Sequence, residues 1–294
     1  MGKALADVFP MCRDTFAEAD EALGEPLSRL IFEGPEDRLM LTENTQPAIL
    51  AVSTAACRLL ESRGLSPAYV AGHSVGEYSA NVAAGTFSFG DALRIVRRRG
   101  RYMQEAVPVG EGAMAAILGL DADKVAQACA ECAGSEIVSP ANLNGGGQVV
   151  IAGSRDAVRR AGERARMMGA RRVVPLPVSA PFHCALMKPA EERLAPELRA
   201  LPVQNPRVPV VANVDAEPKR DAAAAIEALV EQVSAPVRWE AVVGRLASEG
   251  VTTYVEVGPG AVLTGLVRKI HREATAVSFG SPDDLAAVES AINV

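Results

Sequence analysis

The pentapeptide Gly72-His73-Ser74-Val75-Gly76 constrains this chain more than any other stretch. A short apolar run ending at Ala71 precedes it and reads as a strand; Glu77 to Val82 continues as a helix. A serine on such a sharp strand-to-helix turn has its hydroxyl pushed out at the edge of a sheet. The flanking glycines are expected because the backbone is tight there and the helix packs close to the strand. The N–H of Val75, at the helix start, can point at an oxyanion formed on a carbonyl that Ser74 attacks. An ordinary β-turn-α unit with an incidental serine fits the same five letters.

The chain has 294 residues, enough for one large domain or a domain with an insert. Apolar residues make up 49% and aromatics 4%, so the core is aliphatic. A net charge of −6 argues against nucleic acid as a partner. Five cysteines scattered through a long chain suggest no disulfide framework and fit a reduced, cytoplasmic setting. No apolar run is long enough to span a membrane, and Met1 to Ala6 has no signal-peptide core.

Helical periodicity marks 14–23, 45–63 and 91–106. The span 30–41 reads as a surface loop. From 113 to 177 the rhythm changes to strand, helix, strand, strand, helix, strand, with Asn144-Gly145-Gly146-Gly147 as the central turn. That βαββαβ order is the ferredoxin-like pattern, and 109–179 is taken as an inserted subdomain. The flanking segments 1–108 and 180–294 alternate strands and helices: helices at 185–201, 221–233 and 237–249, strands at 208–214 and 252–257, and a last helix ending near 272. They imply a mainly parallel sheet covered on both faces.

Among the charges, Arg99 is the most informative. At 100° per residue, Ala92, Ile95, Val96, Tyr102, Met103 and Ala106 lie within roughly 60° of it. Arg94, Arg97, Arg98 and Arg101 lie about 100° or more away. Arg99 is therefore set in an apolar stripe, where a guanidinium needs an anionic or strong acceptor partner. A carboxylate of the protein would serve; so would a substrate carboxylate held bidentately.

A base for Ser74 must come from three histidines. His73 adjoins the serine but within the elbow points elsewhere. His183 lies at the return from the insert, where clefts form. His271 is the rival, since the order Ser74, Asp215, His271 matches hydrolase triads. Cys129-Ala130-Glu131-Cys132 is a lone pair of helix cysteines, and no metal site is expected. Gly258-Pro259-Gly260 reads as a β-to-α connection. Between Arg155 and Arg172, seven arginines stand against Asp156 and Glu163; they form a solvated face or a dock for an acidic protein.

Several segments together resemble the bacterial malonyl-CoA:acyl carrier protein transacylases. They are Gly72 to Ala80, Arg99 to Pro108, Gly147 to Gly153, Pro175 to Ser179, His183 to Pro189 and Val255 to Gly260. The resemblance implies an α/β-hydrolase-like domain with a ferredoxin-like insert. It implies that Ser74 carries malonyl as an ester, His183 is the base, Arg99 holds the malonyl carboxylate and Val75 supplies an oxyanion N–H. Gln232, before Val233-Ser234-Ala235-Pro236, matches the glutamine whose backbone carbonyl orients the histidine. Met103 and Phe182 are assigned to the substrate pocket. The implied partners are a coenzyme A thioester and acyl carrier protein, the latter docking on the Arg155 to Arg172 face, with no cofactor and a monomeric chain. Family members begin with a short strand and a Gly-Gln-Gly loop ahead of the segment seen here as Met1-Gly2. Both are expected to be missing, roughly 10 or more residues by usual strand and loop lengths, and with them a second oxyanion donor. The alternatives are a serine esterase or thioesterase-type hydrolase using His271, and an inactive truncated remnant that only binds carrier protein.

Overall fold

The computed structural model describes residues 1–178 and 180–292; Ser179, which closes the expected insert and its Pro175 to Ser179 motif, and the last two positions lie outside the described residues. The chain opens with five helices: α1 (Lys3–Val8), α2 (Pro10–Leu23), α3 (Leu27–Glu33), α4 (Glu36–Leu39) and α5 (Thr42–Ser62). Pro10 sits at the first position of α2, where its missing N–H leaves nothing unpaired, and Gly24 closes that helix at φ 66°. The span expected as a loop holds α3 and α4 instead. Neither has a side-chain cap, and at 7 and 4 residues both are too short to show helical periodicity.

The elbow strand β1 is only Val70–Ala71, followed by α6 (Val75–Ala83) and α7 (Phe89–Glu105). Ser88 caps α7 by accepting the Asp91 N–H at 3.1 Å. The apolar stripe of α7 packs on α5, and Leu50, Val52, Leu93 and Val96 lie at the centre of the largest core.

A small lobe follows, built from β2 (Gly112–Leu118), α8 (Ala122–Ala133), β3 (Val138–Gly145), β4 (Gln148–Ser154), α9 (Arg155–Met167) and β5 (Arg172–Pro175). Its strands form one antiparallel sheet in the order β3-β4-β2-β5. Side chains alternate as strand geometry requires. Ala115, Ile117, Val149 and Ile151 face α8 and α9, while Met114, Ala116, Val150 and Ala152 face Phe182, Cys184 and Leu186. The second face thus grips the segment that carries His183.

The chain then returns through a 3-10 turn at Ala185–Met187 to α10 (Lys188–Arg199), β6 (Val210–Val211), β7 (Pro218–Lys219), α11 (Ala222–Gln232), α12 (Trp239–Ser248), β8 (Thr253–Val257), α13 (Val262–Ile270), β9 (Thr275–Phe279) and α14 (Leu285–Ile292). The single sheet expected here is split. β1 pairs in parallel with β6, which carries β7 antiparallel, and β8 pairs in parallel with β9 as a separate sheet. The expected strand over 208–214 shrinks to two residues because the Asn213 N–H leaves the ladder to bond the Glu77 carboxylate at 2.9 Å. The lobes are stitched by backbone: Val237 N–H donates to Ala141 O at 2.9 Å, and Leu143 N–H to Val237 O at 2.8 Å.

Candidate active site

Ser74 is the residue before α6 and has φ 54° and ψ −113°, a conformation L side chains rarely adopt. Such strain costs about 1–3 kcal/mol and persists only where the surroundings over-determine it. Asn213 supplies much of that: its Oδ1 accepts the Ser74 N–H at 2.8 Å, and its Nδ2 donates to Gly72 O at 2.8 Å. Gly72 is obligatory, since a Cβ there would stand 2.0 Å from the Gly76 carbonyl carbon. The same reason does not hold for Gly76, whose Cβ would enter open space. Val75 begins α6, and its N–H makes no hydrogen bond among the described residues.

His183 Nε2 lies 2.7 Å from Ser74 Oγ, and its Nδ1 lies 3.0 Å from the Gln232 carbonyl oxygen. A carbonyl only accepts, so Nδ1 carries the hydrogen and Nε2 presents a lone pair to the serine hydroxyl. Burial, reinforced by the nearby Arg99 charge and His73, holds the imidazole down to about 3, so it is neutral near pH 7. That is the state a general base needs.

Arg99 is 2% exposed. Its Nη2 donates to Ser74 Oγ at 3.1 Å and to Gln232 Oε1 at 2.9 Å, and its Nη1 to Gln46 Oε1 at 2.6 Å. The guanidinium carbon lies 5.4 Å from the centre of the Tyr78 ring. Arg99 Nε has no partner among the described residues. Burial pushes the guanidinium below its ordinary value. The acceptors around Arg99 are two amides, a hydroxyl and a ring face; no carboxylate among the described residues touches it. Such a cation remains able to take an incoming carboxylate.

Gln46, Glu77, Asn213 and the side chain of Gln232 complete this network and were not singled out from the sequence. Gln46 and Gln232 lie on helices amid apolar neighbours, the same kind of signal that marks Arg99. Glu77 is 1% exposed, and burial, opposed by bonds from Gln232 and Asn213, pushes its carboxyl up to about 7.

Met103 is buried on α7, with its Sδ 3.9 Å from Gln46 Nε2. Phe182 is half-buried between the cores of the two lobes. His73 turns away from the serine hydroxyl: its Nε2 lies 2.9 Å from Asn144 Oδ1, and its ring is 5.7 Å from that of Trp239. The rival triad is not assembled. Asp215 pairs with Lys219, and His271 Nδ1 lies 3.1 Å from Tyr254 OH. The basic face is partly neutralised within its own lobe. Arg160 pairs with Glu136 at 2.7 Å, Arg164 with Glu131 at 2.6 Å and Arg159 with Glu163 at 3.0 Å.

A half-buried serine on a strand-to-helix elbow, with a buried imidazole and a buried guanidinium on its hydroxyl, describes an acyl-group transferase, and the chain belongs to the acyl transferase domain family, whose model matches residues 1–285. It is 50% identical over 284 residues to the malonyl CoA-acyl carrier protein transacylase of Escherichia coli (strain K12), covering 96% of this chain and 92% of that protein. The acyl carrier protein S-malonyltransferase from Vibrio cholerae superimposes with a TM-score of 0.96 at 47% identity, over 98% of this chain and 94% of the other. A malonyl-transacylase solved in complex with a type II PKS acyl-carrier protein gives 0.96 at 46% identity, over 100% of this chain and 95% of the other.

Proposed function

We propose that this chain moves a malonyl group from coenzyme A to the phosphopantetheine thiol of an acyl carrier protein, through an ester on Ser74, in supply of fatty acid synthesis in the cytoplasm. The observation that carries the reading is one oxygen shared by two groups: Ser74 Oγ is 2.7 Å from His183 Nε2 and 3.1 Å from Arg99 Nη2. His183 takes the serine proton as Oγ attacks the thioester carbonyl, and the Val75 N–H meets the oxygen that becomes negative. The proton passes to the departing coenzyme A sulfur. The carrier thiol then reverses the sequence in ping-pong fashion.

The malonyl carboxylate is one methylene from the ester carbon, so a guanidinium this near Oγ is within its reach. An acetyl group offers that guanidinium nothing, and the buried donors stay unpaired. Gln232 orients His183 through its backbone oxygen, and Met103 and Phe182 shape the pocket. Malonyl-CoA is a substrate; Ser74, His183 and the two thiols handle every proton of the exchange. We read the lobes as an α/β-hydrolase-like domain, residues 1–108 and 180–294, and a ferredoxin-like insert, 109–179. The β3-β4-β2-β5 order of the small sheet supports the insert. Carrier protein is proposed to approach over the α9 and β5 arginines, where Arg155, Arg171 and Arg172 make no ion pair among the described residues.

Intact-mass measurement after mixing with malonyl-CoA tests the reading. The expected result is a malonyl adduct that disappears in Ser74→Ala and is nearly abolished in His183→Ala. An adduct that survives His183→Ala at the wild-type rate would return the role of base to His271.

A further inference from the structure

Glu77 is buried in the first turn of α6, three residues past Ser74, and the transfer above makes no use of it. Its Oε2 accepts the Asn213 N–H at 2.9 Å and Gln232 Nε2 at 2.8 Å. Arg99 lies one amide beyond, on the opposite end of the Gln232 side chain, where Oε1 accepts Nη2 at 2.9 Å.

The two ends of that amide are chemically unlike. Nε2 faces only acceptors: Glu77 Oε2, the Ser74 carbonyl at 3.0 Å and Asn213 Oδ1 at 3.4 Å. A flipped amide would aim N–H groups at a guanidinium that can only donate, and an oxygen at a carboxylate. Glu77, whose Oε2 already accepts from Gln232 Nε2 and the Asn213 N–H, makes that flip unfavourable. Its second arm reaches the nucleophile, because the Asn213 backbone it holds carries the side chain that bonds both Gly72 O and Ser74 N.

We propose that Glu77 is a positioning residue for acyl-group selection: it sets the Gln232 amide so that an acceptor faces Arg99, and does so at one remove, leaving the guanidinium free to take a malonyl carboxylate. A protein carboxylate directly on Arg99 would orient it equally well but would compete with the substrate. The inference rests on the malonyl reading above.

The test compares rates of Ser74 acylation from malonyl-CoA and acetyl-CoA, followed by intact mass. In Glu77→Gln the malonyl-to-acetyl ratio should fall about 10- to 100-fold, the size of one lost hydrogen bond to a charged group, with the loss in KM for malonyl-CoA. Gln232→Glu places a carboxylate on Arg99 and should lower the rate with malonyl-CoA far more than the rate with acetyl-CoA. The double variant Glu77→Gln, Gln232→Glu keeps one carboxylate and one cation in the pocket. It should recover thermal stability lost by Glu77→Gln yet remain unselective. A folded Glu77→Gln protein, or a folded double variant, with the wild-type ratio would overturn the role of Glu77, even if its Tm had fallen. Wild-type protein that forms no malonyl ester would instead overturn the malonyl reading, and this proposal with it.

Discussion

Three exposed arginines of α9 and the buried arginine of α7 are treated in opposite ways, while the other α7 arginines, Arg94, Arg97, Arg98 and Arg101, pair with carboxylates as those of α9 do. On α9, Arg159, Arg160 and Arg164 are 59%, 38% and 38% exposed, and each has a carboxylate partner in the small lobe. On α7, Arg99 is 2% exposed and has amides, a serine hydroxyl and a ring face, but no carboxylate of the described residues in contact. The exposed charges are neutralised where water would already have screened them. The buried one is oriented but not neutralised. A cation left in that state in low dielectric is poised for an anion brought from outside.

The largest effect should come from removing the buried cation. Arg99→Ala is expected to lower the malonyl-to-acetyl ratio of Ser74 acylation by roughly 100-fold or more, as for sites that hydrogen-bond a substrate group. An unchanged ratio would erase the contrast between the buried arginine and the exposed ones. The intermediate effect concerns the field that Arg99 adds to burial at His183. His183 takes up a proton in the unfolded chain as pH falls through 6.5, but in the folded protein only near 3. Its contribution to stability is therefore complete above pH 6.5 and is lost as pH falls below that. Between pH 6.5 and 5 this group should remove about 2 kcal/mol of folding free energy. Urea titrations of wild type and His183→Asn across that interval should show a shallower fall in the variant; parallel curves would count against the buried, neutral imidazole. The smallest effect lies on the exposed side. Arg172→Ala should raise the KM for carrier protein about 3- to 10-fold at low salt, and Arg164→Ala, whose charge Glu131 already meets, less than about twofold. Equal effects would mean that local pairing does not decide which arginines are open to a partner.

Legibility followed the range of the interaction. The elbow is local, and five letters locate Ser74. The stripe of α7 is local as well, so helical spacing alone isolates Arg99 from the four other arginines of its helix. The sequence favours His183 over His271 only through its place at a lobe junction. The remaining network rests on contacts between distant positions: Asn213 with Ser74, 139 residues apart, and Gln232 with Glu77, 155 apart. No periodicity carries such pairings. The same holds for β9, a short strand whose partner β8 is found only in three dimensions, and for the shortening of the expected 208–214 strand, where a backbone N–H of Asn213 is given up to Glu77.

The backbone stitch between β3 and Val237 has a mechanical consequence. Gln232, whose carbonyl fixes the His183 ring, lies five residues before Val237, and His183 itself sits in the segment gripped by the small sheet. The ring is thus held against the small sheet, whereas the acceptor closes α11 in the large lobe, its own side chain bonded to Glu77, the Ser74 carbonyl and Arg99. Displacement of the small lobe would therefore strain the Nδ1–H···O bond and the Nε2 to Oγ distance together, and the pairing of β3 with Val237 is a brace against that displacement.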